Sequence, residues 1–135
     1  MSNMVKIVLA VVLTLAIAGG IYVFALAPQN EVDDEKPLTT YSPGDAFITN
    51  IKDSARLLKA SLVLAVDDAK KEEYMTENNY IIRDTIIYEL RQKNEQELRS
   101  PDIQDKLRTE IVESLKQKLQ MKYLVTVYFD EFVLQ

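Results

Sequence analysis

From Ile7 to Ala27 the chain runs for 21 residues without a charge, IVLAVVLTLAIAGGIYVFALA. At 1.5 Å rise per residue, about 20 such residues cross the hydrocarbon core of a bilayer. The buried helix of a soluble domain would show a polar face, and this run has none. Thr14 can return its hydroxyl proton to a backbone carbonyl. Tyr22 and Phe24 lie near the far end, where aromatic rings favour the membrane interface. A single transmembrane helix is therefore expected. Lys6 precedes the run and no Lys or Arg follows it until Lys36. Positive-inside logic then places the N-terminus in the cytoplasm.

A cleaved signal peptide is the rival reading, because Ala25-Leu26-Ala27 fits an A-x-A cleavage site. The run exceeds the roughly 7–15 apolar residues of a signal core, and Pro28 would sit just after the cut, so the anchor is preferred. Ala16 and Gly20 form a small-xxx-small pair of the kind that lets membrane helices approach. Small residues are common in such helices, so the spacing alone does not argue for a helix pair.

The composition narrows the chemistry. The 135 residues contain no His and no Cys. That excludes the usual zinc sites, a cysteine nucleophile, a serine–histidine triad and any disulfide. Two of the three glycines fall in the apolar run, which leaves Gly44 alone to serve a phosphate loop. No catalytic residue, metal ligand, cofactor or small-molecule substrate is expected. The net charge is −5, and residues 1–27 carry only Lys6. The acidic remainder would be repelled by phosphate, so no nucleic-acid partner is expected.

Three segments follow: residues 1–27 as cytoplasmic stub and membrane helix, 28–44 as linker, and 45–135 as an outer domain. Pro28 to Thr40 is polar and acidic and reads as an extended spacer. Ser42-Pro43-Gly44-Asp45 places Pro and Gly at the centre of a type II turn. Ala46–Ile51 and Leu57–Val66 then read as an antiparallel hairpin with a long turn. Leu58, Ala60, Leu62, Leu64 and Val66 share its inner face. Asp67 and Asp68 suit the cap of a helix over about 69–93, and too few oxygen ligands accompany them for calcium.

On that helix Met75, Ile82, Ile86 and Leu90 form one stripe, and Tyr74, Ile81 and Tyr88 a second. Tyr80 and Ile87 lie on a further side. They either cover the domain edge singly or face another subunit. Ser100-Pro101-Asp102 opens a second helix, with Ser100 as cap. Ile103, Leu107, Ile111, Leu115 and Leu119 recur along it every four residues, with Val112 beside them. In Lys122–Leu134, a last strand, Tyr123, Val125, Val127 and Phe129 share one face, and Asp130-Glu131 marks a bulge or the sheet end. The expected fold is α+β, order β-β-α-α-β, with two helices on one face of a small antiparallel sheet.

Several phrases carry a resemblance. They are Phe47-Ile48-Thr49-Asn50-Ile51, Arg56-Leu57-Leu58-Lys59-Ala60-Ser61-Leu62, Ile82-Arg83-Asp84-Thr85-Ile86-Ile87, Leu98-Arg99-Ser100-Pro101, and Val127 to Gln135 (VYFDEFVLQ). In this order, behind an N-terminal anchor, they resemble the flagellar basal-body FliL family. The resemblance implies a periplasmic domain similar in fold to the stomatin/prohibitin (SPFH) domain, on a protein of the bacterial inner membrane. It implies a homo-oligomeric ring around the flagellar stator, with the stator proteins MotA and MotB as partners and a role in motility. The family offers no catalytic residue to carry over. A membrane-anchored periplasmic scaffold for another membrane complex is the alternative.

Overall fold

A computed structural model of the chain describes residues 2–26 and 36–135. The expected end of the membrane run at Ala27, and the spacer from Pro28 to Glu35, lie outside these residues. The chain divides into two units, Met1–Glu35 and Lys36–Gln135.

The first unit holds α1 (Asn3–Leu26), 24 residues long. Residues 3–20 are exposed throughout, and the helix is long and apolar enough to cross a membrane. Thr14 Oγ1 donates to the carbonyls of Val11 (2.9 Å) and Ala10 (3.1 Å), so its hydroxyl needs no outside partner.

The second unit is an α+β sandwich of one antiparallel sheet and one helix layer. Its strands are β1 (Thr39–Tyr41), β2 (Phe47–Asn50), β3 (Leu57–Val66) and β4 (Leu124–Leu134). Strand β3 is central. On one edge β2 pairs with Leu57–Ala60 and β1 with Leu64–Val66, while β4 covers the other edge along its length. The existence of β1 corrects the sequence reading, which assigns Thr39 and Thr40 to the spacer. Three residues with no apolar alternation give no strand signal; the neighbouring edge of β3 supplies the pairing. Between β1 and β2, Gly44 takes φ = 107°, as the expected turn requires.

The helix layer consists of α2 (Glu72–Glu77), α3 (Asn79–Arg91), α4 (Glu95–Leu98) and α5 (Ile103–Leu119), with a 3₁₀ turn at Ala69–Lys71. The single helix expected over 69–93 is therefore broken. Asn78 interrupts it at φ −101°, ψ 14°, where its backbone N–H (3.1 Å) and its side-chain amide (2.8 Å) both donate to the Tyr74 carbonyl. The short α4 is closed by a capping box between Asn94 and Glu97. Helix α5 starts at Ile103 with Asp102, not Ser100, as the preceding residue. The order β-β-α-α-β thus gains a strand and two short helical pieces.

The core is what the stripes foretell. Leu58, Ala60, Leu62, Leu64 and Val66 from β3 are buried against Met75, Ile82, Ile86 and Leu90, and against Ile103, Leu107, Ile111, Leu115 and Leu119. Strand β4 departs from its expected facing. Register shifts fall between Ala65/Val66 and between Ser61/Leu62, so Val125 and Asp130 are extra residues. Each bulge resets the two-residue alternation. Leu124 and Val127 are buried, Val125 is exposed, and Phe129 is half-buried beside Phe132 instead of deep in the core.

Candidate interaction surface

Helix α3 is fastened to the sheet by Arg83. Its guanidinium donates to the carbonyls of Pro43 (3.0 Å) and Asp45 (2.9 Å) and lies 4.4 Å from the centroid of the Phe47 ring. Asn79 adds a donor to the same Pro43 carbonyl at 3.1 Å. This face of α3 therefore looks toward the β1–β2 side of the unit.

Tyr80 and Ile87 do not form an exposed pair. Tyr80 is 71% exposed, whereas Ile87 is half-buried and packs against the core edge. The more exposed neighbour is Tyr88, whose ring lies 5.6 Å from the Lys118 ammonium of α5. Asp84, Ile87, Tyr88, Arg91 and Gln92 line a shallow hollow of ≈ 290 Å³.

A second depression lies on α5. Arg108, Thr109, Val112 and Glu113, with Lys116, face Val125 and Thr126 of β4 across a groove of ≈ 440 Å³. Arg108 Nε donates to the Val127 carbonyl (3.1 Å), and its guanidinium meets Asp105 at 2.6 Å. Strand β4 pairs only with β3 among the described residues, so Arg108 covers part of its open edge. Sequence reasoning misses this groove. Its one hint is Val112, an apolar residue lying off the four-residue stripe of α5.

Several charged groups elsewhere are paired within the unit. Lys59 pairs with Glu131 (2.8 Å) and Lys93 with Glu110 (2.7 Å). Glu95 accepts from Ser54 Oγ and lies beside Arg56 and Arg99. The Ser54 hydrogen bond above all, helped by the two guanidinium charges, holds its carboxyl below the ordinary carboxylate range against the opposing effect of burial. Burial raises the Tyr123 phenol, and the nearby Tyr74 and Asp68 add to it. Among the described residues no group of three or more Asp or Glu side chains could hold a metal ion. The surfaces are shallow, charged at the rim and apolar at the centre, which suits contact with protein.

Residues 40–135 match the family described as "Flagellar basal body-associated protein FliL". This chain belongs to the FliL family. The match starts within β1 and ends at Gln135, so it covers nearly all of the two-layer unit and leaves α1 outside. The flagellar protein FliL of Aquifex aeolicus (strain VF5) is 27% identical over 97 residues, 70% of this chain and 60% of that relative. The chain thus spans less than two thirds of the relative's own length. The phrases that carry the resemblance have structural work in this FliL-family fold. Phe47 and Ile51 are buried, Arg83 ties α3 to the sheet, and the terminal phrase is the part of β4 that carries the Asp130 bulge.

Proposed function

We propose that this FliL-family chain is a non-enzymatic flagellar basal-body protein that assembles as a homo-oligomeric ring around the stator proteins MotA and MotB and stabilises or activates the stator for torque generation. The observation that carries the reading is the family match over residues 40–135. Three physical features support it. Helix α1 has the length and apolar surface of a lipid-embedded anchor. The lone Lys6 before it favours an N-terminus in the cytoplasm, which puts the SPFH-like domain in the periplasm of an inner-membrane, single-pass protein. The outer unit carries apolar centres rimmed by charge, Ile87 on α3 and Val112 on α5. Such patches suit assembly with protein partners better than binding of a small molecule.

The test is deletion of the gene together with affinity capture of the tagged full-length protein from cross-linked membranes. Deleted cells should build flagella yet lose swimming speed under viscous load, and capture should bring down MotA and MotB. Normal loaded swimming, together with a different membrane complex in the capture, would point to the scaffold reading instead.

A further inference from the structure

We propose that copies of this chain meet side by side, the outer flank of α3 on one copy seated in the α5–β4 groove of the next. The inference rests on the ring assembly proposed above and assigns its contact. Three observations carry it.

First, the two surfaces lie on opposite flanks of one helix layer. Helix α3 and Lys93 just past its end touch α5 through Glu89–Ser114, Lys93–Glu110 and Tyr88–Lys118. Asp84, Ile87 and Arg91 point away from that seam on α3, while Val112, Glu113 and Lys116 point away from it on α5, by the 3.6-residue period. A head-to-tail contact needs two different patches that are not both on one side.

Second, each flank carries one acid and one base with no ion-pair partner among the described residues: Asp84 and Arg91 on one, Glu113 and Lys116 on the other. Each set borders a half-buried aliphatic side chain, Ile87 or Val112.

Third, the register within the domain matches these charges. The seam contacts show α3 and α5 to be antiparallel, with Glu89 level with Ser114 and Lys93 level with Glu110. A neighbour displaced sideways with little rotation keeps those levels. Its Arg91 then comes level with Val112, one residue from Glu113, and its Asp84 falls within a turn of Lys116, inside the reach of that side chain. Both contacts are attractive, and Ile87 lies between them, level with Lys116 and one turn from Val112. The same displacement brings the partly open edge of β4 beside the short strands β1 and β2.

The two flanks differ, so one contact leaves a free flank at each end, and addition continues until the small rotation per copy closes a ring. A two-fold dimer would instead use one flank against itself.

The chain contains no cysteine, which makes the contact directly testable in the full-length protein in its own membrane. A chain with both Arg91→Cys and Glu113→Cys should give, on oxidation, a ladder of cross-linked species beyond dimer. Each single substitution should remain monomeric on the same gel. Separately, Arg91→Glu should weaken assembly on the order of tenfold, about 1.4 kcal/mol, and Glu113→Arg added to the same chain should restore it. A dimer alone from the double-cysteine chain overturns the head-to-tail contact. No cross-link, where amine-reactive cross-linking shows the wild type to be oligomeric, overturns this pair of flanks and leaves the ring reading standing. A wild type that is monomeric in its membrane removes the ring and this contact with it.

Discussion

Arg83 shows how one side chain decides the placement of a whole helix. The Pro43 residue is buried, and its carbonyl accepts from both Arg83 and Asn79. Gly44 beside it answers to its backbone: φ = 107° strains any side chain, although a Cβ there would only touch the guanidinium, at 3.5 Å. Replacing Arg83 by Ala removes two charge-assisted hydrogen bonds and the stacking on Phe47, and should cost about 2 kcal/mol in denaturant unfolding. Arg83→Lys should recover only part of this, because an ammonium cannot reproduce the planar fork. A loss of a few tenths for Arg83→Ala would show that the turn holds itself. Glu95 supplies a pH-dependent counterpart. Its folded carboxyl binds a proton less readily than its ordinary value of 4.5 would have it. It therefore adds stability above that pH, and the contribution fades as the pH falls through the lower folded value. The unfolding midpoint of the wild type should drop more between about pH 5 and pH 3 than that of Glu95→Gln. Parallel curves for the two proteins would show that the Ser54 contact does not hold the carboxylate.

Strand β4 separates what can be read from the sequence from what cannot. Period two and period 3.6 are set by backbone geometry, so β3 and the buried stripes of α3 and α5 are legible in the order of residues alone. A bulge breaks the period, and of the two in β4 only the one at Asp130, where an acidic pair interrupts the apolar run, is marked in the residue types. In β4 the extra residue Val125 turns outward, and the alternation that would bury it beside Val127 is reset. Consequently Val127→Asp, which places a charge in the core, should abolish folding, while Val125→Asp should shift stability by less than about 1 kcal/mol. Circular dichroism melts of the two variants would decide it. Equal damage from both would restore the uninterrupted alternation. Other misses have the same kind of origin. The helix breaks at Asn78 in a stretch without Pro or Gly, so composition does not announce it, and the Tyr74 carbonyl there accepts from both the backbone and the side chain of Asn78. Strand β1 exists because β3 extends beyond β2, a fact about pairing partners and not about Thr39–Tyr41 itself. The α5–β4 groove joins consecutive elements, yet it is illegible because the expected facing of Val125 hides its strand half. Tyr80 and Ile87 are legible as lying off the main stripe of α3, but not their unequal burial, since Ile87 packs against the core edge and Tyr80 does not.

At the scale of the whole molecule, the proposed orientation makes the two units differ in their exposure to an external reagent. Lys6 lies one residue before the apolar run, and the next base is Lys36, behind Glu31, Asp33, Asp34 and Glu35. Retention of Lys and Arg on the cytoplasmic side sets orientation, and acids contribute little, so a single lysine carries the bias. The unit Lys36–Gln135 has its own core, built from strands and helices that all belong to it. A protease that cuts between the units should therefore release that unit as a resistant fragment. Protease added to intact spheroplasts should convert a C-terminally tagged chain to a product somewhat larger than residues 36–135, while a tag before Met1 stays protected. Moving Lys6 to the other side, as in Lys6→Ser with Gln29→Lys and Asn30→Lys, should raise the fraction of chains whose C-terminal tag is shielded. Protection of the C-terminal tag in wild-type spheroplasts, with digestion only after lysis, would reverse the orientation. Because the proposed ring engages the stator in the periplasm, that result would remove the stator assignment while leaving membership of the FliL family intact.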